Sequence, residues 1–124
     1  MKISLITCTY NRHTKLIRNI KSVLDQNFND LEHIIIDDGS TDNSLEEIKK
    51  LNINYIKIIS LKKNLGQPAA LFNSNIFNQI KGEIYFLLDS DDYLLPGSLK
   101  MIEADANKYF KLNKNLISIN YSYE

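Results

Sequence analysis

The chain has 124 residues, with 15 acids balanced by 15 bases, 44% hydrophobic and 24% charged residues. That composition fits one soluble globular domain, small for an enzyme that must hold two substrates, so an incomplete chain is expected; its scattered Lys and Arg exclude the basic footprint of a nucleic-acid binder. A lone Cys8 excludes an internal disulfide and argues against a Cys-based metal centre, and no stretch has the apolar length of a signal peptide or membrane span, so the cytoplasm is the expected location, with a peripheral place at the inner membrane face as a variant.

Residues 3–7 are apolar and β-branched, which predicts a first strand buried on both faces. A polar stretch, Thr7-Cys8-Thr9-Tyr10-Asn11-Arg12, ends it. Over residues 14–26, Leu16, Ile17, Ile20, Val23 and Leu24 recur at helical spacing, with Thr14 as the cap. A turn at 27–30 leads to a second strand over 31–36, which stops at Asp37-Asp38-Gly39-Ser40-Thr41-Asp42. Ser44 with Glu47 resembles a capping box, and Leu45, Ile48 and Leu51 give a short helix its buried stripe. The third strand is predicted over 55–61, ending in Lys62-Lys63-Asn64-Leu65-Gly66. Pro68 suits the first turn of a helix running to about residue 80, with Phe72, Ile76, Phe77 and Ile80 towards the core and Gly82 ending it.

The fourth strand is Tyr85-Phe86-Leu87-Leu88, read as buried, and it runs into Asp89-Ser90-Asp91-Asp92. Pro96 and Ser98 start a further helix whose apolar face is Leu99, Ile102, Ala106, Tyr109 and Phe110. Apolar alternation at Ile117, Ile119, Tyr121 and Tyr123 predicts a half-buried strand over 116–123, whose open edge invites dimerisation. Strand and helix alternate four times, so the expected fold is a three-layer α/β/α sandwich on a mainly parallel sheet.

Ligands of such sheets bind beyond the carboxyl ends of the strands, and each polar cluster in this chain lies there. Tyr10 and Asn11 follow the first strand, Asp37 and Asp38 the second, Lys63 and Asn64 the third, Asp89 and Asp91 the fourth. In an extended segment Asp89 and Asp91 would point to one side and could share a hard divalent cation, Mg²⁺ or Mn²⁺, although Asp clusters after strands also serve as plain turn chemistry. With neither a G-x-G-x-x-G nor a P-loop motif in the chain, a metal is the natural partner for any bound phosphates. Asp38 offers an acceptor to the N–H of a uracil ring, and Tyr10 can line or stack on a base. His13 and His33 lack metal-like spacing and read as structural, and Cys8 reads as a small buried residue whose backbone lines the crevice.

In order, Ile6-Thr7-Cys8-Thr9-Tyr10-Asn11-Arg12, Asp37-Asp38-Gly39-Ser40-Thr41-Asp42, Asn64-Leu65-Gly66 and Lys81-Gly82-Glu83 leading to Leu88-Asp89-Ser90-Asp91-Asp92 resemble the motifs of family 2 glycosyltransferases of the Rossmann-like GT-A fold. The resemblance spans nearly the whole chain. It implies a nucleotide-sugar donor, usually UDP-linked, and inverting transfer to a hydroxyl of a glycan or lipid-linked acceptor. By position, it implies that Tyr10, Asp38 and Asn64 hold the uridine with Cys8 beside the base, that Asp89 meets the ribose or the metal, and that Asp91 binds the Mn²⁺ or Mg²⁺ that bridges the diphosphate. Two departures accompany it. Leu71, Phe72 and Asn73 stand where the family commonly has an Arg near the diphosphate, and the catalytic base, an acid well downstream in the family, is expected beyond residue 124 together with the acceptor half. Residues 1–124 would then be the donor-binding part, inactive alone. Two other classes stay open: a non-catalytic nucleotide- or metal-binding module, and a phosphotransfer receiver, which would normally carry an Asp where Thr7-Cys8-Thr9 stands.

Overall fold

The computed structural model describes residues 1–112, and the strand expected over 116–123 lies outside them. Four strands, β1 (Ile3–Thr9), β2 (Leu31–Asp37), β3 (Ile56–Ser60) and β4 (Ile84–Leu87), form a parallel sheet in the order β3-β2-β1-β4. The helices are α1 (His13–Leu24), α2 (Ser44–Leu51), α3 (Gln67–Asn73) and α4 (Ser98–Leu112). Strands β1 and β2 are the buried centre, as their unbroken apolar runs dictate, and alternate side chains feed opposite faces. Ile3, Leu5 and Ile35 pack beneath α1, α2 and α4; Ile6, Ile34 and Ile36 pack against Ala70 of α3.

This layering follows from connection handedness. From β1 through β2 to β3 the chain steps one way across the sheet, and right-handed crossovers put α1 and α2 on one face. It then steps back past β1 to β4, and the same handedness puts α3 on the other face. Strand order therefore reverses between β1 and β4, and the loops after these two strands diverge around a crevice.

Several local expectations change in the folded chain. Thr14 lies inside α1, and the first N–H of that helix, from His13, goes instead to Asp42 Oδ2 at 3.2 Å. The Ser44–Glu47 capping box does not form, because Asp42 Oδ1 takes both the Ser44 N–H at 3.0 Å and the Ser44 hydroxyl, while Glu47 pairs with Lys50. The helix after Pro68 stops at Asn73. Asn75 adopts a left-handed conformation, φ 53°, and a single 3-10 turn, Ile76–Asn78, follows; the break sends Ile76 inward and leaves Phe72 and Phe77 in solvent. Among the described residues β4 is the edge strand, with Tyr85 and Leu87 exposed and Ile84 and Phe86 only partly buried, so the fourth strand is not the buried strand expected. Leu24, Leu51, Tyr109 and Phe110, assigned to apolar stripes, are also exposed, lying at or near helix ends beyond the cover of the sheet. Gly82 does not close a helix; it packs against Ser4 so tightly that a Cβ would meet the Ser4 side chain and backbone.

Candidate active site

At the switch point, Cys8, Thr9, Tyr10 and Arg12 from the β1 end face Asp89, Ser90 and Asp91 from the β4 end, with Asp38, Asn64, Gly66 and Gln67 closing the third side around about 290 Å³. Every residue singled out in the sequence as a binding candidate is in this wall: Cys8, Tyr10, Asp38, Asn64, Asp89 and Asp91. A larger hollow of about 570 Å³ lies between α1 and residues Tyr93, Leu94, Leu95 and Pro96, but none of those six candidates lines it.

Asp38 is almost wholly buried, 4% exposed. Its Oδ1 accepts the Leu65 N–H at 2.9 Å and its Oδ2 the Gly66 N–H at 2.8 Å, so it staples the loop after β3 to the end of β2. The start of α2 is capped by Asp42 and not by Asp38. Each Asp38 oxygen keeps a further lone pair that a ligand N–H can use. Gly39, at φ +77°, lets this loop come so near that any Cβ there would sit 2.7 Å from the Lys63 carbonyl carbon. Asn64 turns its Oδ1 back to the Gly66 N–H at 3.2 Å, and Tyr10 stands half-exposed at the rim. Cys8 is an inert neighbour: burial, then the fields of Asp38 and Asp89, push its thiol up to about 11.

Asp89 and Asp91 do not project from an extended strand, because β4 ends at Leu87 and residues Asp89 to Asp92 turn, with the Asp92 N–H on the Asp89 carbonyl at 2.9 Å. What aims both acids at the crevice is α1. Asn19, fully buried, donates to the Asp89 carbonyl at 2.9 Å and the Asp92 carbonyl at 3.1 Å; Arg18 donates to the Asp91 carbonyl at 2.7 Å and lies over the Tyr93 ring at 4.8 Å. Further along, Ser22 accepts the Leu94 N–H at 2.9 Å, and Gln26 donates to the Leu95 carbonyl at 3.0 Å. The sequence carried a signal for this clamp in Asn19, Ser22 and Gln26, a polar stripe at helical spacing beside the apolar one, but its use needed the fold.

From the sheet side, the Thr7 hydroxyl gives its one proton to the Leu88 carbonyl at 2.8 Å. It must therefore accept from His33 Nε2 at 2.9 Å, which fixes the neutral Nε2–H tautomer and leaves buried Nδ1 with no partner. Burial drives this imidazole down to about 4, so it is uncharged at neutral pH.

Three carboxylates thus meet in a crevice whose lining holds one cation, Arg12, with Nη1 2.7 Å from Asp91 Oδ2. Its own backbone N–H and the Arg12 guanidinium hold the Asp91 carboxyl below the ordinary range. Among the described residues the Asp89 carboxylate accepts only the neutral Gln67 amide, at 3.2 Å. No cluster of three or more His, Cys, Asp or Glu suited to a metal occurs among the described residues. Two open carboxylates with room beside them fit a Mg²⁺ or Mn²⁺ ion that completes its shell with water and ligand phosphates, and do not fit an ion that needs an all-protein cage. No helix among the described residues is long and apolar enough to cross a membrane.

The model of the family described as "Glycosyl transferase family 2" matches residues 4–111. Over 108 residues the chain is 36% identical to a GalNAc(5)-diNAcBac-PP-undecaprenol beta-1,3-glucosyltransferase of Campylobacter jejuni, covering 86% of this chain and 35% of that protein. Over 118 residues it is 40% identical to the poly(ribitol-phosphate) beta-N-acetylglucosaminyltransferase TarP of Staphylococcus aureus, covering 92% of this chain and 34% of that one. The crystal structure of S. aureus TarS 1-349 in complex with UDP-GlcNAc superposes with a TM-score of 0.74 at 32% identity, over 87% of this chain and 32% of that chain. The chain spans about a third of the length of these curated relatives. It belongs to glycosyl transferase family 2 and has the α/β architecture of the GT-A transferases.

Proposed function

We propose that this chain is the donor-binding part of a glycosyltransferase that moves a sugar from a UDP-linked donor, with inversion, to a hydroxyl of a glycan or lipid-linked acceptor in polysaccharide or other glycan biosynthesis. The observation that carries this reading is the charge of the crevice: three carboxylates against one guanidinium at the switch point. A nucleoside diphosphate brings further negative charge, so Coulomb repulsion opposes tight binding, and a divalent cation bound with it would offset that cost. Asp89 and Asp91 would hold that ion, which when bound would neutralise charge on the departing diphosphate. The names of the relatives, glucosyl- and N-acetylglucosaminyltransferases, and the UDP-GlcNAc bound to TarS support the donor class.

In this reading Asp38 accepts the uracil N–H with a lone pair left over from its two loop contacts, Tyr10 lies along the base, and Asn64 and Cys8 complete the uridine pocket. The acceptor hydroxyl attacks the anomeric carbon from the face opposite the diphosphate, through an oxocarbenium-like transition state. Its proton goes to a base outside this wall, because Asp38 is tied to the β3 loop while Asp89 and Asp91 would hold the cation. Calorimetry with UDP, with Mn²⁺ and then with EDTA, tests the reading on the wild type and on Asp91→Asn. UDP binding that depends on Mn²⁺ and is lost in the variant is expected; equal affinity in EDTA would defeat the metal role.

A further inference from the structure

Resting on that reading, we propose that Arg12 is the resident counter-ion of the acidic site: it neutralises Asp91 while no donor is bound, yields that carboxylate to the divalent ion, and then pairs with the donor's diphosphate. Arg12 and Asp91 touch at 2.7 Å, yet their side chains are 46% and 41% exposed. A pair so open to water is weak and exchanges readily, which suits a contact that must be given up. The root of the side chain, in contrast, is fixed. Its neighbour Asn11 binds the Ser40 hydroxyl at 3.0 Å and the Thr41 N–H at 2.8 Å, and the next residue, His13, is capped by Asp42 at 3.2 Å. The guanidinium can therefore swing from a stationary base across the crevice it already lines.

Of the other cations nearby, Lys15 reaches Asp91 only through its Coulomb field and does not line the crevice. Arg18 is spent on the Asp91 carbonyl and the Tyr93 ring, on the side of the larger hollow. From α3 nothing cationic arrives: Leu71 packs on the core, Phe72 is in solvent, and Asn73 binds the Ala69 carbonyl at 2.8 Å. Among the described residues Arg12 is thus the one cation lining the crevice that can follow the phosphates, and it starts on the carboxylate the metal needs.

The two roles have opposite signs, and this makes them measurable. Removing the charge removes a competitor of the metal and a partner of the diphosphate. Mn²⁺ alone, titrated by electron paramagnetic resonance into the full chain, should bind Arg12→Gln about three- to tenfold more tightly than wild type, whereas UDP at saturating Mn²⁺, followed by calorimetry, should bind about three- to tenfold more weakly. Uridine, with no phosphates, should bind both proteins alike, and Arg12→Lys should stay near wild type in every titration because the charge is kept. A merely structural salt bridge would weaken metal and UDP together or leave both unchanged, and either result overturns the proposal. If wild type binds neither Mn²⁺ nor UDP, the donor-binding reading falls with it; if wild type binds both and Arg12→Gln matches it, only the role of Arg12 falls. Equal thermal midpoints for the three proteins ensure that a folding defect is not read as a binding effect.

Discussion

Glu32 and Asp38 stand at opposite ends of one strand and do the same structural work, yet only Asp38 lines the crevice at the switch point. At the amino end of the sheet, Glu32 accepts the Ser4 hydroxyl and the Lys81 N–H, while Ser4 in turn accepts the Gly82 N–H at 2.8 Å. That network pins the chain entering β4, where Gly82 packs so tightly on Ser4 that there is no space even for a Cβ. At the carboxyl end, Asp38 pins the chain leaving β3 through two N–H groups, but its remaining lone pairs face the crevice. A buried carboxylate that ties loops together is a stabilising device at both ends; it becomes a recognition device only where topology leaves one side open.

The largest effect is expected at the closed end. Glu32→Ala strips a buried hydroxyl and a backbone N–H of their acceptor, which should cost about 4 kcal/mol in urea denaturation at neutral pH while the folded fraction still binds UDP with wild-type affinity. Lost affinity at full folding would show that the two ends are coupled after all. Acid should reach this end too. Burial alone would raise the Glu32 carboxyl, but the Ser4 hydroxyl, the Lys81 and Gly82 N–H groups and Lys2 outweigh it and hold it below its ordinary 4.5. A depressed folded value means stability that is present above pH 4.5 and lost as pH falls further.

His33, next to Glu32 on β2, sharpens the comparison at milder pH. Its ordinary value of 6.5 falls to about 4 in the fold, so the unfolded chain takes the proton first. Stability is therefore full above pH 6.5 and declines until about pH 4. At about 1.4 kcal/mol per unit, the loss should reach about 3 kcal/mol, and His33→Gln, which keeps a donor for Thr7, should flatten that slope in urea titrations across the same range. An unchanged slope would place the titrating group elsewhere.

Much of this was legible in the residues. The alternation of β-branched runs with amphipathic segments gave the layers, and the polar ends of four strands gave every wall of the crevice, because both depend on local pattern and on the rule that parallel strands present their carboxyl ends together. What stayed hidden depends on partners far apart in sequence. The cap on α1 comes from Asp42, the clamp on Asp89 and Asp91 comes from Asn19, and the break at Asn75 that exposes Phe72 follows from fitting Ile76 under the sheet. Asp89 and Asp91 do share the crevice wall, but for a different reason than the one read from the sequence: a turn held by α1, and not an extended strand, aims them.

At the open end the effect should be smaller and divided. Asp38→Ala frees the Leu65 and Gly66 N–H groups, but the loop is partly exposed and water replaces the acceptor, so a stability loss of about 1 to 2 kcal/mol is expected. UDP affinity should fall about tenfold or more in the same variant. Asp38→Asn keeps one carbonyl acceptor and should recover part of the stability without the affinity. If Asp38→Ala binds UDP as well as wild type, Asp38 is a staple like Glu32, and the openness of its site has no bearing on the base.

The smallest effect tests whether a carboxylate at the open end can be structural alone. Asp42 sits beside the crevice loops but does not line the crevice; its two oxygens take the first N–H of α1 and the first N–H of α2. One negative charge therefore answers two helix dipoles and two orphan donors, and the His13, Ser44 and Asp42 contacts draw the two helices together at their starts. Burial is the largest single influence and opposes ionisation here, but the Ser44 hydroxyl and the Ser44 and His13 N–H groups together outweigh it and hold the carboxyl below its usual range, which marks the charged form as the one the fold uses. Because Asp42 is exposed, water takes over much of what is lost, and Asp42→Ala should cost about 1 kcal/mol, with Asp42→Asn costing less and the difference between the two shrinking in high salt as the charge–dipole part is screened. UDP affinity should not change. A drop in UDP affinity would mean that the start of α1 passes strain to Arg12 and the acidic turn, and that the carboxyl end of the sheet works as one unit instead of as separable staples and ligands.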